Sequence, residues 1–188
     1  MEPRPAERRE VIMGGIGGQG LLVAGQLLGQ MAVSRYKHVV EYPVYQGTQQ
    51  RGGSNECTVV MSDEEIDSPM IDRAEAVLIF DISRLKEFQK MVLPGGILIV
   101  NGTDAEAEVE TEAGRVLWIP AMKLALDAGS TRAMNLVLLG AYIEATKAFP
   151  IEMAVEALRE NFGDREDVLS HNTKALLEGA KAVASMKH

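Results

Sequence analysis

Cysteine occurs once in 188 residues, at Cys57, and histidine three times, at His38, His171 and His188. A single thiol makes no intramolecular disulfide, no CxxC redox pair and no iron–sulfur cluster. The three imidazoles are too far apart in sequence for a metal-ligand spacing. Basic charge is also scarce, with 19 Lys and Arg against 27 Asp and Glu and a net charge of -8. A phosphate-backbone binder carries the opposite balance, so no nucleic-acid partner is expected. No apolar run approaches the roughly 18 residues of a membrane span, so no membrane association is expected either. The opening MEPRPAERRE is charged and lacks the apolar core of a signal peptide. These deficits point to a cytoplasmic, acidic protein without a redox centre of its own.

What remains is ordinary globular material, 46% hydrophobic and 24% charged, with length enough for a sizeable core. One domain over residues 1–188 is expected, with 1–9 flexible. Short apolar runs at 10–16, 37–41, 56–61, 77–80, 97–100 and 116–119 read as strands, the second ended by Pro43. Helical patterns follow at 20–33, at 83–92 with Ser83 as N-cap, after Pro120, and at 131–148, 150–161 and 170–186. Alternating strands and helices that give way to helices alone predict an α/β fold. The expected form is an open, mostly parallel sheet with helices on both faces, a Rossmann-like start and a C-terminal helical cap. Asp104, Glu106, Glu108, Glu110 and Glu112 fall on every second residue, as in a solvated loop, a charged edge strand or an acidic docking patch.

Between the first strand and the first helix lies Gly15-Ile16-Gly17-Gly18-Gln19-Gly20, which satisfies GxGxxG. Glycines permit positive φ and close backbone approach, and free N–H groups at a helix start attract an anion. The same glycines also serve a tight turn with close helix–sheet packing, and both readings stand. Glu41 lies 21 residues beyond Gly20, where a dinucleotide-binding fold places its ribose carboxylate. A second loop carries Arg51-Gly52-Gly53, an always-charged donor fork beside flexible backbone, suited to phosphate or carboxylate or simply solvated.

Together these motifs resemble the gamma subunit of the 2-oxoacid:ferredoxin oxidoreductases. The likeness rests on the glycine loop, on Arg51-Gly52-Gly53 running into a strand, on Ser62-Asp63, Ile66, Ser68-Pro69 and Asp81, on Pro120-Ala121, Ala125, Gly129, Arg132, Asn135 and Leu139-Gly140-Ala141, and on Asn172, Ala175 and Gly179. It spans roughly Val11 to Gly179. The resemblance implies a subunit without the catalytic centre. Thiamine diphosphate with magnesium would sit in alpha and beta partner subunits. Iron–sulfur clusters would sit in a ferredoxin-like delta subunit or another partner, with ferredoxin reached indirectly. It also implies coenzyme A as co-substrate, handled at Gly15, Gly17, Gly18, Gln19, Gly20, Arg51, Gly52, Gly53 and Asn135, with no cofactor held by this chain alone and no catalytic residue of its own. An isolated copy could pair with a second copy through the surface that partners cover. Two other readings remain open at this point: a free-standing dinucleotide-binding protein using Glu41, and a structural subunit whose glycine loop binds nothing.

Other residues have simpler readings. Cys57, on a β-branched strand, reads as a small buried hydrophobe. Asn135 opens an apolar helix and either hydrogen-bonds backbone in a neighbouring loop or contacts ligand. That helix is apolar on most sides, so it is central to the core or covered by another subunit.

Overall fold

The computed structural model describes residues 7–45, 54–103 and 108–186. Six strands form one sheet: β1 (Arg8–Ile16), β2 (His38–Tyr45), β3 (Ser54–Ser62), β4 (Ala74–Ile79), β5 (Val92–Asn101) and β6 (Arg115–Ile119). Their order is β2-β3-β1-β4-β5-β6. β1, β4, β5 and β6 are parallel neighbours, while β3 runs antiparallel between β1 and β2. The helices are α1 (Leu21–Ala32), α2 (Leu85–Phe88), α3 (Ala121–Asp127), α4 (Met134–Thr146), α5 (Ile151–Phe162) and α6 (Glu166–Ala184). This is the open α/β sheet with a helical C-terminal part that the sequence predicts.

The period-2 alternation of the strands sorts side chains onto two unequal faces. Val11 and Met13 of β1 and Cys57, Val59 and Met61 of β3 point into the main core beneath α1, α4 and α6. Ile12, Val77, Ile79, Leu98 and Val100 point the other way, under Leu85 and Phe88 of the short α2. Helices therefore lie on both faces, but all the long ones share one.

α4 is the central helix, buried at every residue from Met134 to Ile143. An apolar surface all round needs neighbours all round, and the sheet and α6 supply them. The approach to α6 depends on two absent side chains. A Cβ on Gly140 would run into the Leu176 carbonyl, and one on Gly179 into the Val137 carbonyl. The glycines let the two helix backbones touch.

Local differences from the sequence reading have local causes. β2 continues through Pro43, which sits on an edge strand where a missing N–H is tolerated. The stretch expected as one helix from Ser83 is instead a 3-10 turn at Ile82–Arg84, the four-residue α2 and a second 3-10 turn at Gln89–Met91. Its cap is Asp81, whose carboxylate accepts the Ser83 N–H at 3.0 Å, a stronger acceptor than the serine hydroxyl. β5 includes Pro94-Gly95-Gly96, with a register irregularity against β4. α6 begins at Glu166, earlier than Ser170. Within the stretch 1–9 expected to be flexible, Arg8 and Arg9 belong to β1, and Arg9 pairs with Glu7 and Glu75 at 2.7 and 3.1 Å.

Candidate functional site

The carboxyl ends of β1, β4, β5 and β6 lie along one edge of the sheet. α1 leaves β1 for the main-core face, while the turn after β4 leads to α2 on the opposite face. Connections that part in this way open a crevice between the strand ends, the usual ligand position in open α/β sheets. The glycine loop forms one lip of that crevice and Asp81 the other.

The loop's shape follows from its residues. Gly18 and Gly20 take φ of 96° and 76°, and Gly20 caps α1 in the left-handed conformation. Such φ values cost an L side chain about 1–2 kcal/mol, so glycine is the residue that fits. Gln19 folds back over the loop. Its Oε1 accepts the Ile16 N–H at 2.9 Å, and its Nε2 donates to Asp81 Oδ2 at 2.8 Å. Gly15 makes that fold possible, since a Cβ there would stand 2.6 Å from Gln19 Oε1.

The other polar side chains at this edge are similarly engaged with the frame. Asp81 Oδ1 accepts both the N–H and the hydroxyl of Ser83, at 3.0 and 2.6 Å. Burial alone would raise the Asp81 pKa, but the bonds from Ser83 and Gln19, with the Arg84 charge, outweigh it and lower it. Asn101 donates to the Phe80 carbonyl at 3.0 Å and accepts from the Ala121 N–H at 3.1 Å, tying the ends of β4, β5 and α3 together. Asn135, 4% exposed, donates from α4 to the Gly20 carbonyl at 3.0 Å. The backbone N–H groups of Gly17, Gly18, Gly20, Leu21, Leu22 and Val23 have no acceptor among the described residues, and the first bond of α1 runs from the Ala24 N–H to the Gly20 carbonyl. The side chains here fix backbone, and the backbone presents the donors.

The structure thus brings Gly15, Gly17, Gly18, Gln19, Gly20 and Asn135 together. Arg51, Gly52 and Gly53 lie outside the described residues. The flanking positions are at the same edge, where Ser54 pairs with Ile16 and Tyr45 with Asn55. Asp81, Ser83 and Asn101 were given no site role by the sequence reading. Their signal is a polar residue closing an apolar strand, Asp81 after Phe80 and Asn101 after Val100, or following that closure.

Glu41 is not at this site. β3 separates β2 from β1, so Glu41 does not occupy the neighbouring-strand position that a ribose carboxylate requires. Its Oε1 instead lies 3.6 Å from Cys57 Sγ, beneath Gly25 of α1. Burial raises the Glu41 pKa, partly offset by the bond from Cys57. Cys57 is fully buried, and burial beside that carboxylate pushes its thiol pKa far up. Among the described residues no cluster of three His, Cys, Asp or Glu side chains is placed to hold a metal ion. No described helix is long and apolar enough to cross a membrane.

The chain is similar to known proteins throughout this framework. It is 34% identical over 172 residues to the ketoisovalerate oxidoreductase subunit VorA of Methanothermobacter thermautotrophicus, a match covering 91% of this chain and 35% of that one. The chain thus spans about a third of that relative's length. With the 2-oxoglutarate synthase subunit KorC of the same organism it shares 33% identity over 162 residues, covering 82% of this chain and 85% of that one. In structure it resembles the 2-oxoglutarate:ferredoxin oxidoreductase of Magnetococcus marinus with 2-oxoglutarate, coenzyme A and succinyl-CoA bound. That match has a TM-score of 0.79 at 20% identity and covers 96% of this chain and 32% of that one. The family model for pyruvate ferredoxin/flavodoxin oxidoreductase matches residues 10–182, and the chain belongs to that family.

Proposed function

We propose that the chain is the gamma-type subunit of a 2-oxoacid:ferredoxin oxidoreductase and that its glycine loop receives the diphosphate of coenzyme A. The observation that carries this reading is the set of backbone N–H groups at Gly17, Gly18 and Gly20 that have no acceptor among the described residues. These sit at the start of the twelve-residue α1, in the crevice between β1 and β4. The Magnetococcus enzyme of the same fold has coenzyme A bound, which supports the choice of anion.

In such an assembly thiamine diphosphate with magnesium and iron–sulfur clusters supply decarboxylation and electron removal, and coenzyme A takes the acyl group. This chain's residues do not suit those cofactors. Its single thiol is buried against Glu41, and its described carboxylates form no metal cluster. Their places are the alpha and beta subunits and, for the clusters, a delta subunit or another partner, in a cytoplasmic complex that delivers electrons to ferredoxin. The chain's own part is binding and orientation. Loop N–H groups grip the anion, and Asn135 fixes the carbonyl of Gly20 behind them. Arg51, between Tyr45 and Ser54 in the sequence, is the chain's own positive charge assigned to the same anion.

A chain of net charge -8 repels an anionic ligand at long range. Local donors act over a few ångströms, and basic side chains from the partner subunits supply the rest. The isolated chain therefore binds coenzyme A far more weakly than the complex does.

The test is Gly18→Asp. A Cβ at Gly18 meets no atom within 4 Å, so the substitution displaces no neighbour, but the φ of 96° there costs any L residue about 1–2 kcal/mol; Gly18→Ala, with the same backbone cost and no charge, is therefore the reference for the added carboxylate. The complex, purified by a tag on this chain, should assemble with its thiamine-binding and iron–sulfur subunits. Its KM for coenzyme A should rise at least about tenfold above that of Gly18→Ala, as expected for a like charge in the anion site. An assembled variant with the parent's KM for coenzyme A would remove the loop from the binding site.

A further inference from the structure

The polar groups at the crevice divide into two kinds. The backbone donors of Gly17, Gly18 and Gly20 have no acceptor among the described residues, while one run of hydrogen bonds links loop to strand end: the Ile16 N–H donates to Gln19, Gln19 donates to Asp81, and Ser83 donates to Asp81. Asp81 is itself immobilised, because Oδ1 caps the turn after β4 with two bonds while Oδ2 takes the Gln19 amide. Gln19 is the sole side chain of the glycine loop proper that reaches the facing lip, and it does so with one donor and one acceptor, both used.

We propose that Gln19 and Asp81 are positioning residues forming a latch across the crevice, which holds the glycine loop in the form that leaves its N–H groups free for a ligand. A flexible run of four glycines within six residues has many alternative conformations, and ordering it for a ligand costs conformational entropy. The latch meets that cost during folding, so the ligand meets a preformed loop. It also ties the loop to β4, whose end is followed by α2 on the opposite face. A glutamine suits this position because its amide accepts from Ile16 and donates to a carboxylate at once. Asp81, though anionic at an anion site, keeps its charge turned into Ser83 and Gln19. The inference rests on the coenzyme A reading only for its kinetic arm.

The test uses Gln19→Glu, Asp81→Asn and the double variant. Gln19→Glu sets two carboxylates face to face at hydrogen-bond distance, where both do not ionise without strong repulsion. It retains an oxygen for Ile16, so it cuts only the link to Asp81. Asp81→Asn in that background returns an amide donor opposite the new carboxylate. In the full-length chain, hydrogen exchange of the Ile16 amide at pH 7.5 should quicken about tenfold in Gln19→Glu and return to within about twofold of the parent in the double variant. Lowering the pH to about 5.5 should slow exchange in Gln19→Glu beyond the intrinsic trend, because the facing carboxylates then share a proton. In the assembled oxidoreductase, KM for coenzyme A should follow the same pattern of about tenfold loss and rescue, with KM for the 2-oxo acid moving less than about twofold. Parent-like exchange in Gln19→Glu, or no rescue in the double variant, overturns the latch. Exchange that follows the pattern while KM for coenzyme A stays constant supports the latch and overturns the coenzyme A reading instead.

Discussion

Asn135, on the first turn of α4, donates its side-chain amide to the carbonyl of Gly20, a residue 115 positions earlier in the chain. The central helix of the core thereby holds the cap of the helix that faces the crevice. The fit is close, since a Cβ on Gly20 would stand 2.7 Å from Asn135 Nδ2. Asn135→Leu keeps the branching of the side chain, removes this bond and leaves the Gly20 carbonyl with the Ala24 N–H alone, at 3.1 Å, which should cost about 0.5–1.5 kcal/mol in urea unfolding. It should also weaken coenzyme A binding in the complex. A variant of parental stability would mean that the bond is not needed to hold α1 to α4.

The α4–α6 contact makes a sharper demand. Gly140→Ala and Gly179→Ala each place a methyl against a carbonyl of the facing helix. Backbone in a helix does not move aside as a flexible side chain does, so the helices must part. Overpacking of this kind costs about 1–3 kcal/mol or more per site. Both variants should melt well below the parent by circular dichroism, and the pair should be less than additive, because parting the helices once relieves both clashes. Unchanged melting would show that the helices have room to spare.

Two carboxylates should respond to pH in opposite senses. Burial raises the Glu41 pKa, so the folded state binds that proton more tightly than the unfolded chain. Its charged form is penalised above the raised folded value, and the penalty fades as pH falls to the unfolded value. Glu41→Gln should therefore raise Tm at pH 8 and give no gain near about pH 4. Asp81 is lowered in spite of its burial, through Ser83 and Gln19. Its contribution is present above the ordinary Asp value and is lost as pH falls through the lowered one. Asp81→Asn should lower Tm at pH 7, with the gap closing below about pH 3. A Tm difference independent of pH in either variant would contradict the assigned cause.

The lone thiol should be inert. Cys57 is fully buried on β3 under α1, and burial beside Glu41 raises its pKa. Alkylation by iodoacetamide at pH 8 should be slower than in denaturant by on the order of a hundredfold or more, because it waits on an opening of the α1–sheet contact. Rapid labelling of the folded chain would place that contact among the loosely held parts of the molecule.

The sequence by itself determined the class of fold and most of its elements, the broken helical stretch after β4 excepted. Apolar runs closed by Asp81 and Asn101, and glycines between a strand and a helix, are local patterns whose physics is local: side-chain period, capping and permitted φ. The likeness carried by Gly15 to Gly20 and by Asn135 was legible for the same reason, since identity at spaced positions does not depend on knowing what they touch. Tertiary structure decided the partners. The strand beside β1 is β3, not β2, because the antiparallel β2–β3 hairpin lies with β3 inward, and that removes Glu41 from the crevice. Gln19 stood out in the sequence as a polar residue among glycines. Its engagement with Asp81, 62 positions on, depends on two parallel strands ending side by side. Sequence spacing along one chain says nothing of such a meeting, since register between distant strands is set by the whole sheet and the core packed on it.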